Sequence, residues 1–257
     1  MRSLARNSQG RTSLSFQLAI ERACSLSTKS YRGRLLVSQA NFFAAVQAGD
    51  AAEVARSIAA DPALLQAKNE RGASAVLLAC YTGRKEVRDL LIAKGALLEL
   101  HEAAAAGQLS RVEELVEANP AAAKTYSPDG FPVMALAAVF GHEEVARCLL
   151  VNGADVNAVA TNGSGYTALT GAVASGHATV AKWLAENGAD VNYRYANGYA
   201  PLLTAAANGC LEIVKMLLAH GADLHARTVD GKNALAFAQE RNHNEVAEYL
   251  RGLGLTA

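Results

Sequence analysis

The chain has 257 residues, 51 % of them apolar, with 24 basic and 24 acidic side chains and a formal charge of zero; that length suits one large domain or two small ones. The neutrality hides an asymmetry: residues 1–36 hold seven basic residues (Arg2, Arg6, Arg11, Arg22, Lys29, Arg32, Arg34) and a single acid, Glu21, which leaves the remainder at −6. A mildly acidic body is a poor match for a phosphate backbone and argues against general nucleic-acid binding, and no apolar run reaches the roughly 18 residues that a membrane span needs.

The first 36 residues are basic, serine-rich and almost free of acids. Three readings stay open for them: a targeting peptide, which favours that composition; a disordered basic tail; or a start placed too early. In the last case the natural chain begins at Val37, since bacterial genes can start at a valine codon. Residues 37–257 form the second region. Its opening unit is a pair of helices, Phe42 to Ala48 and Val54 to Ala60, split by Gly49-Asp50 and stopped by Asp61-Pro62. A second unit runs from Gly72 to Ala96, with Leu77, Leu78, Val87, Leu90 and Leu91 at helical spacing around Gly83. The third is irregular. Gly83 to Gly107 spans only 24 residues, so the long turn between units is missing there. Two helices are still predicted, Leu98 to Ala106 and Leu109 to Ala118, ending at Asn119-Pro120.

From residue 127 to 255 the pattern is regular. Gly130, Gly165, Gly198 and Gly231 are 35, 33 and 33 residues apart, and Gly141, Gly176 and Gly209 are 35 and 33 apart. Two independent markers with one period indicate a repeat. Within each unit an Ala- and Leu-rich helix stops at the second glycine, where a left-handed conformation carries no Cβ penalty. A second helix follows, with apolar residues such as Val145, Cys148 and Leu149, and stops at Gly153, Gly188 or Gly221. A polar turn then leads to the next unit. Neither helix can bury its apolar face alone, so stacking must build one continuous core. The last unit, Ala234 to Arg251, is polar enough to cap the stack. Seven helix pairs are expected.

These residues resemble the ankyrin repeat. Gly165-Tyr166-Thr167-Ala168-Leu169-Thr170-Gly171-Ala172 and Gly198-Tyr199-Ala200-Pro201-Leu202-Leu203-Thr204-Ala205 match its Gly-x-Thr-Pro-Leu-His-x-Ala stretch. Gly141-His142, Gly176-His177, Gly153-Ala154-Asp155-Val156-Asn157 and Gly188-Ala189-Asp190-Val191-Asn192 match more closely. The resemblance covers roughly residues 38 to 255. It implies an all-α ankyrin-repeat solenoid with short turns or β-hairpin loops between units. The histidine of the family motif is replaced by Leu77, Ala135, Thr170, Leu203 and Ala236, and with it goes the family's local Thr–His hydrogen-bond network.

Signatures of catalysis and cofactor binding are absent: no dinucleotide or phosphate-loop glycine motif, no His-Glu-x-x-His, no Gly-x-Ser-x-Gly. No cofactor or metal is expected. Asn162-Gly163-Ser164-Gly165 lies in a two-residue insertion between units and reads as a longer turn. His101-Glu102 lacks a second histidine, His142 and His177 orient turns, and Cys210 occupies the same slot. Asp155, Asp190 and Asp223 precede turns and are expected to bond local backbone. Cys24, Cys80, Cys148 and Cys210 lack a Cys-x-x-Cys pair and read as small apolar residues in a reducing compartment.

The resemblance also implies where a partner sits: on the turn tips and inner helices, at the residue after each turn glycine. Those are Ala73, Phe131, Tyr166, Tyr199 and Lys232. Phe131, Tyr166 and Tyr199 are expected to form an aromatic column, with Tyr193, Arg194 and Tyr195 added from a neighbouring turn and Val139 and Phe140 at the far end of the inner helix. Tyrosine and arginine are typical anchors of interfaces. The competing reading is that these rings pack on the next turn and stiffen the array. The expected role is a protein–protein interaction module (adaptor, scaffold, inhibitor or effector) that is monomeric, cytoplasmic and not an enzyme. Two alternatives remain: a non-catalytic subunit attached to an enzyme, or a modification substrate, since ankyrin asparagines like Asn157 and Asn192 can be hydroxylated in animal cells.

Overall fold

The computed structural model describes residues 38–256. The readings placed on residues 1–36, and Cys24, lie outside them. The described residues form seven helix pairs: α1 (38–48) with α2 (Ala51–Ala60), α3 (Ala75–Tyr81) with α4 (Lys85–Ala93), α5 (Leu100–Ala106) with α6 (Leu109–Ala118), α7 (Val133–Val139) with α8 (Glu143–Val151), α9 (Ala168–Ala174) with α10 (Ala178–Glu186), α11 (Pro201–Ala207) with α12 (Leu211–Ala219), and α13 (Ala234–Glu240) with α14 (Asn244–Gly252). Odd-numbered helices make an inner layer and even-numbered helices an outer one. No described helix is long and apolar enough to cross a membrane.

Short helices form here because they are stacked, and several are also capped, since seven residues are too few for a stable isolated helix. Ser74 and Asn233 cap α3 and α13 by accepting from Leu77 N and Ala236 N. Thr167 and Thr170 bond each other's backbone at the start of α9, and Glu102 accepts from Glu99 N at the start of α5. Caps thus form at α3, α5, α9 and α13 without the family histidine, whereas α7 and α11 begin after Pro132 and Ala200 with no side-chain cap. Glu99 acting as N-cap also moves the start of α5 to Leu100 rather than Leu98.

The inner layer is held together by small side chains. Ala103, Ala137, Ala138, Ala172, Ala205 and Ala206 are fully buried. A Cβ on Gly171 would lie 2.6 Å from Val139 Cγ2, so α9 packs on α7 at a distance only glycine permits. Leu91, Leu149, Leu184 and Leu217, on the outer helices, complete the core.

Between pairs the chain extends as a finger. Four fingers are closed by an isolated antiparallel bridge: Lys68 with Ser74, Tyr126 with Pro132, Tyr195 with Tyr199, and Arg227 with Asn233. A fifth, at residues 160–166, is closed by Ala160 N donating to Tyr166 O at 2.8 Å. Residues 94–99 join α4 to α5 directly, with no finger. The missing long turn read from the short glycine spacing is therefore a missing finger.

Candidate partner-binding face

Fingers and inner helices share one face, and the sites expected there can be placed one by one. Tyr166 follows Gly165 and is half-buried, with its ring centroid 5.7 Å from that of Tyr195. Tyr195 lies 6.1 Å from Tyr199, and Tyr199 lies 5.3 Å from Phe237. Four rings thus run in a row from the third and fourth fingers onto α13, and Lys232 Nζ sits 5.8 Å from the Phe237 ring. The Tyr195 hydroxyl is bonded to the Thr204 hydroxyl on α11. Burial pushes the Tyr195 phenol up to about 12, against the Thr204 hydrogen bond, so it stays protonated at neutral pH.

This row differs from the column expected from the sequence. Phe131 is half-buried, rests against the core and stacks on no ring among the described residues, while its amide is held by Ser127 Oγ at 3.0 Å. Tyr166 and Tyr199 are joined through Tyr195 instead, because Tyr195 pairs with Tyr199 across one finger and meets Tyr166 of the finger before it. Tyr193 is half-buried and outside the row. Val139 lies over Gly171, and Phe140 stacks on Tyr81 at 5.8 Å. Arg194 is committed elsewhere: its Nη1 donates to the carbonyls of Gly198 and Arg227, tying one finger to the next.

Phe237 and Tyr81 were missed in the sequence. Tyr81 stands two residues before Gly83, the register of Val139 before Gly141, and that alignment was the available signal. Phe237 follows no turn glycine. It reaches the row from within α13, which no spacing rule indicates.

Two polar ladders set the spacing of the units. His142, His177 and His243 each place Nε2 at 3.0–3.1 Å from a carbonyl of the preceding pair, at Ala105, Val139 and Ala207. A carbonyl only accepts, so each Nε2 carries the proton. Cys210 takes the histidine slot in α12, and there Asn208 Nδ2 supplies the bond, to Ala174 O at 3.1 Å. Asn157 spans to the next unit by donating to Gly188 O and accepting from Asp190 N, and Asn192 repeats this with Gly221 O and Asp223 N. Asp155, Asp190 and Asp223 accept from the amide two residues on, the local bond expected for them.

Among the described residues no group of three His, Cys, Asp or Glu side chains could hold a metal ion. Cys80 is buried, and that burial pushes its thiol up to about 12. It is an apolar core residue rather than a nucleophile.

Helix pairs stacked at a 33-residue period, joined by fingers and stitched by histidine and asparagine, define the class of the ankyrin repeat proteins. Comparison with protein families agrees. Ankyrin repeats (3 copies) match residues 100–195 and ankyrin repeats (many copies) match residues 184–238. The chain belongs to this family. No curated protein matches it.

Proposed function

We propose that the chain binds another protein through its inner face, centred on the row Tyr166, Tyr195, Tyr199 and Phe237. Ankyrin repeats are generally protein–protein interaction modules. The observation that carries the address is the row itself: three half-buried tyrosines side by side on the finger side. Rings held by neighbours lose little entropy when a partner covers them, which suits an anchor. Val139, Phe140, Phe131 and Tyr193 extend the surface, and Arg194 shapes it by joining fingers. The role is that of an adaptor, scaffold, inhibitor or effector, and it assigns the chain no reaction of its own.

The test is quantitative pull-down from native cells with wild type and with Tyr166→Ala/Tyr199→Ala. The double variant is expected to lose about 2–4 kcal/mol of partner affinity and to melt within a few degrees of wild type. Equal recovery of the same partners overturns the proposal. A large fall in thermal midpoint assigns the rings to packing instead.

A further inference from the structure

The missing finger leaves an opening. Two of the three other adjacent finger pairs are hydrogen-bonded: Thr161 N donates to Gly130 O at 2.8 Å, and Val229 N donates to Asn197 O at 2.9 Å. Asn162 Nδ2 adds a bond to Asp129 O. The corresponding carbonyls of the first finger, at Arg71 and Gly72, receive no donor from any described residue. On the far side of the gap, Pro128 stands at the register of Thr161 and Val229. A proline has no N–H, so the second finger presents an edge that cannot donate. The Tyr81 hydroxyl bridges the gap, donating to Asp129 Oδ2 at 2.6 Å.

Below this edge lies a groove of about 840 Å³, floored by Phe43, Leu77, Leu78 and Tyr81 and flanked by Ala44 and Pro128. The floor carries no charge. The four charged residues lining the groove, Lys68, Glu70, Arg71 and Asp129, balance one another, and Lys68 is already paired with Glu99. Tyr81 stacks on Phe140, so the groove is continuous with the inner face.

We propose that this slot docks an extended, uncharged, apolar peptide segment of a partner protein in the place of the absent finger. Its backbone N–H groups pair with the Arg71 and Gly72 carbonyls, and its side chains rest on Phe43, Leu78 and Tyr81. This is strand addition at an open edge. An uncharged floor with a balanced rim disfavours a charged peptide, whose desolvation would go uncompensated. The inference rests on the reading that the chain binds proteins, but on different residues from the aromatic row.

The test pans a linear peptide library on the full chain and measures the selected peptides by calorimetry. The expected peptides share a run of uncharged apolar residues. Ala44→Trp, at an exposed position beside the slot, should weaken them about tenfold or more, as should N-methylation of one central peptide amide. Tyr166→Ala/Tyr199→Ala should leave them within about twofold, which separates this proposal from the previous one. Affinity should stay nearly constant as salt rises across the range that screens surface charge. A library that yields no binder, a charged consensus with steep salt dependence, or Ala44→Trp binding like wild type each overturns the proposal. Binding seen only after removal of residues 1–37 also overturns it, assigning the slot to the chain's own N-terminal segment.

Discussion

Histidine 142 shows how one side chain can serve two units. Its ring lies against Gly107, where a Cβ would come within 2.6 Å, and its Nε2 donates to Ala105 O. Burial lowers its pKa below the ordinary 6.5, with Arg88, His177 and Lys85 adding to the shift and the Ala105 bond opposing it. A lowered pKa means that the unfolded chain takes up the proton first. The His142 contribution is therefore fully present above about pH 6.5 and is lost as pH falls through the lower folded value. Thermal midpoints measured from pH 7.5 down to about 5 should fall, and His142→Gln should flatten that slope. Gly141 is the next instance of the contact. It has φ +80, and a Cβ there would lie 2.7 Å from His177, whereas Gly188, at φ +91, faces open space. Gly141→Ala should cost about 2 kcal/mol or more by urea denaturation, and Gly188→Ala only the backbone strain of about 1 kcal/mol. Equal losses would show that the histidine gives way. The glycines and histidines were legible as turn residues. The reach of each histidine into the preceding pair was not, because its partner is a backbone carbonyl more than 35 residues away in the chain.

At the scale of the element, the finger is the unit that joins one repeat to the next. Its asparagines join one repeat to the next with two bonds each, so Asn157→Ala or Asn192→Ala should lower stability by about 1–2 kcal/mol. Chemical denaturation checks this, and a loss near zero would assign the bonds to exposed groups that water replaces. Fingers were visible as polar turns of constant spacing, and the absent one as a short interval between Gly83 and Gly107. The aromatic row was half visible. Tyr166 and Tyr199 follow turn glycines, and a rule of phase finds them. Phe131 obeys the same rule yet stacks on no ring among the described residues, while Tyr195 and Phe237, from different registers, complete the row. Side-chain direction across neighbouring fingers decides which rings meet, and a periodicity carries no information on it.

For the whole molecule, the irregular third pair divides the solenoid. Of the consecutive outer helices, α4 and α6 make the weakest contact, and no finger crosses between them. Stability in a repeat array is a sum of units and nearest-neighbour interfaces, so a weak interface lets one end open alone. Hydrogen exchange should show the amides of α1–α4 exchanging faster than those of α7–α11, and Tyr81→Phe, which removes the bridge to Asp129, should widen the difference. Uniform protection along the array would show that the stack opens as one body.

Sequence alone determined the architecture: helix pairs, their period, the polar cap and the missing turn. These are local matters of apolar spacing, capping and left-handed glycines, and they repeat, so each unit confirms the others. Only the tertiary structure decided which surfaces are open. That Arg194 is bound to the next finger, that Phe237 joins the row, and that the Arg71 and Gly72 carbonyls lack donors among the described residues all depend on groups brought together from neighbouring units. Stacking sets those distances, and it reads the sum of two repeats rather than the pattern within one.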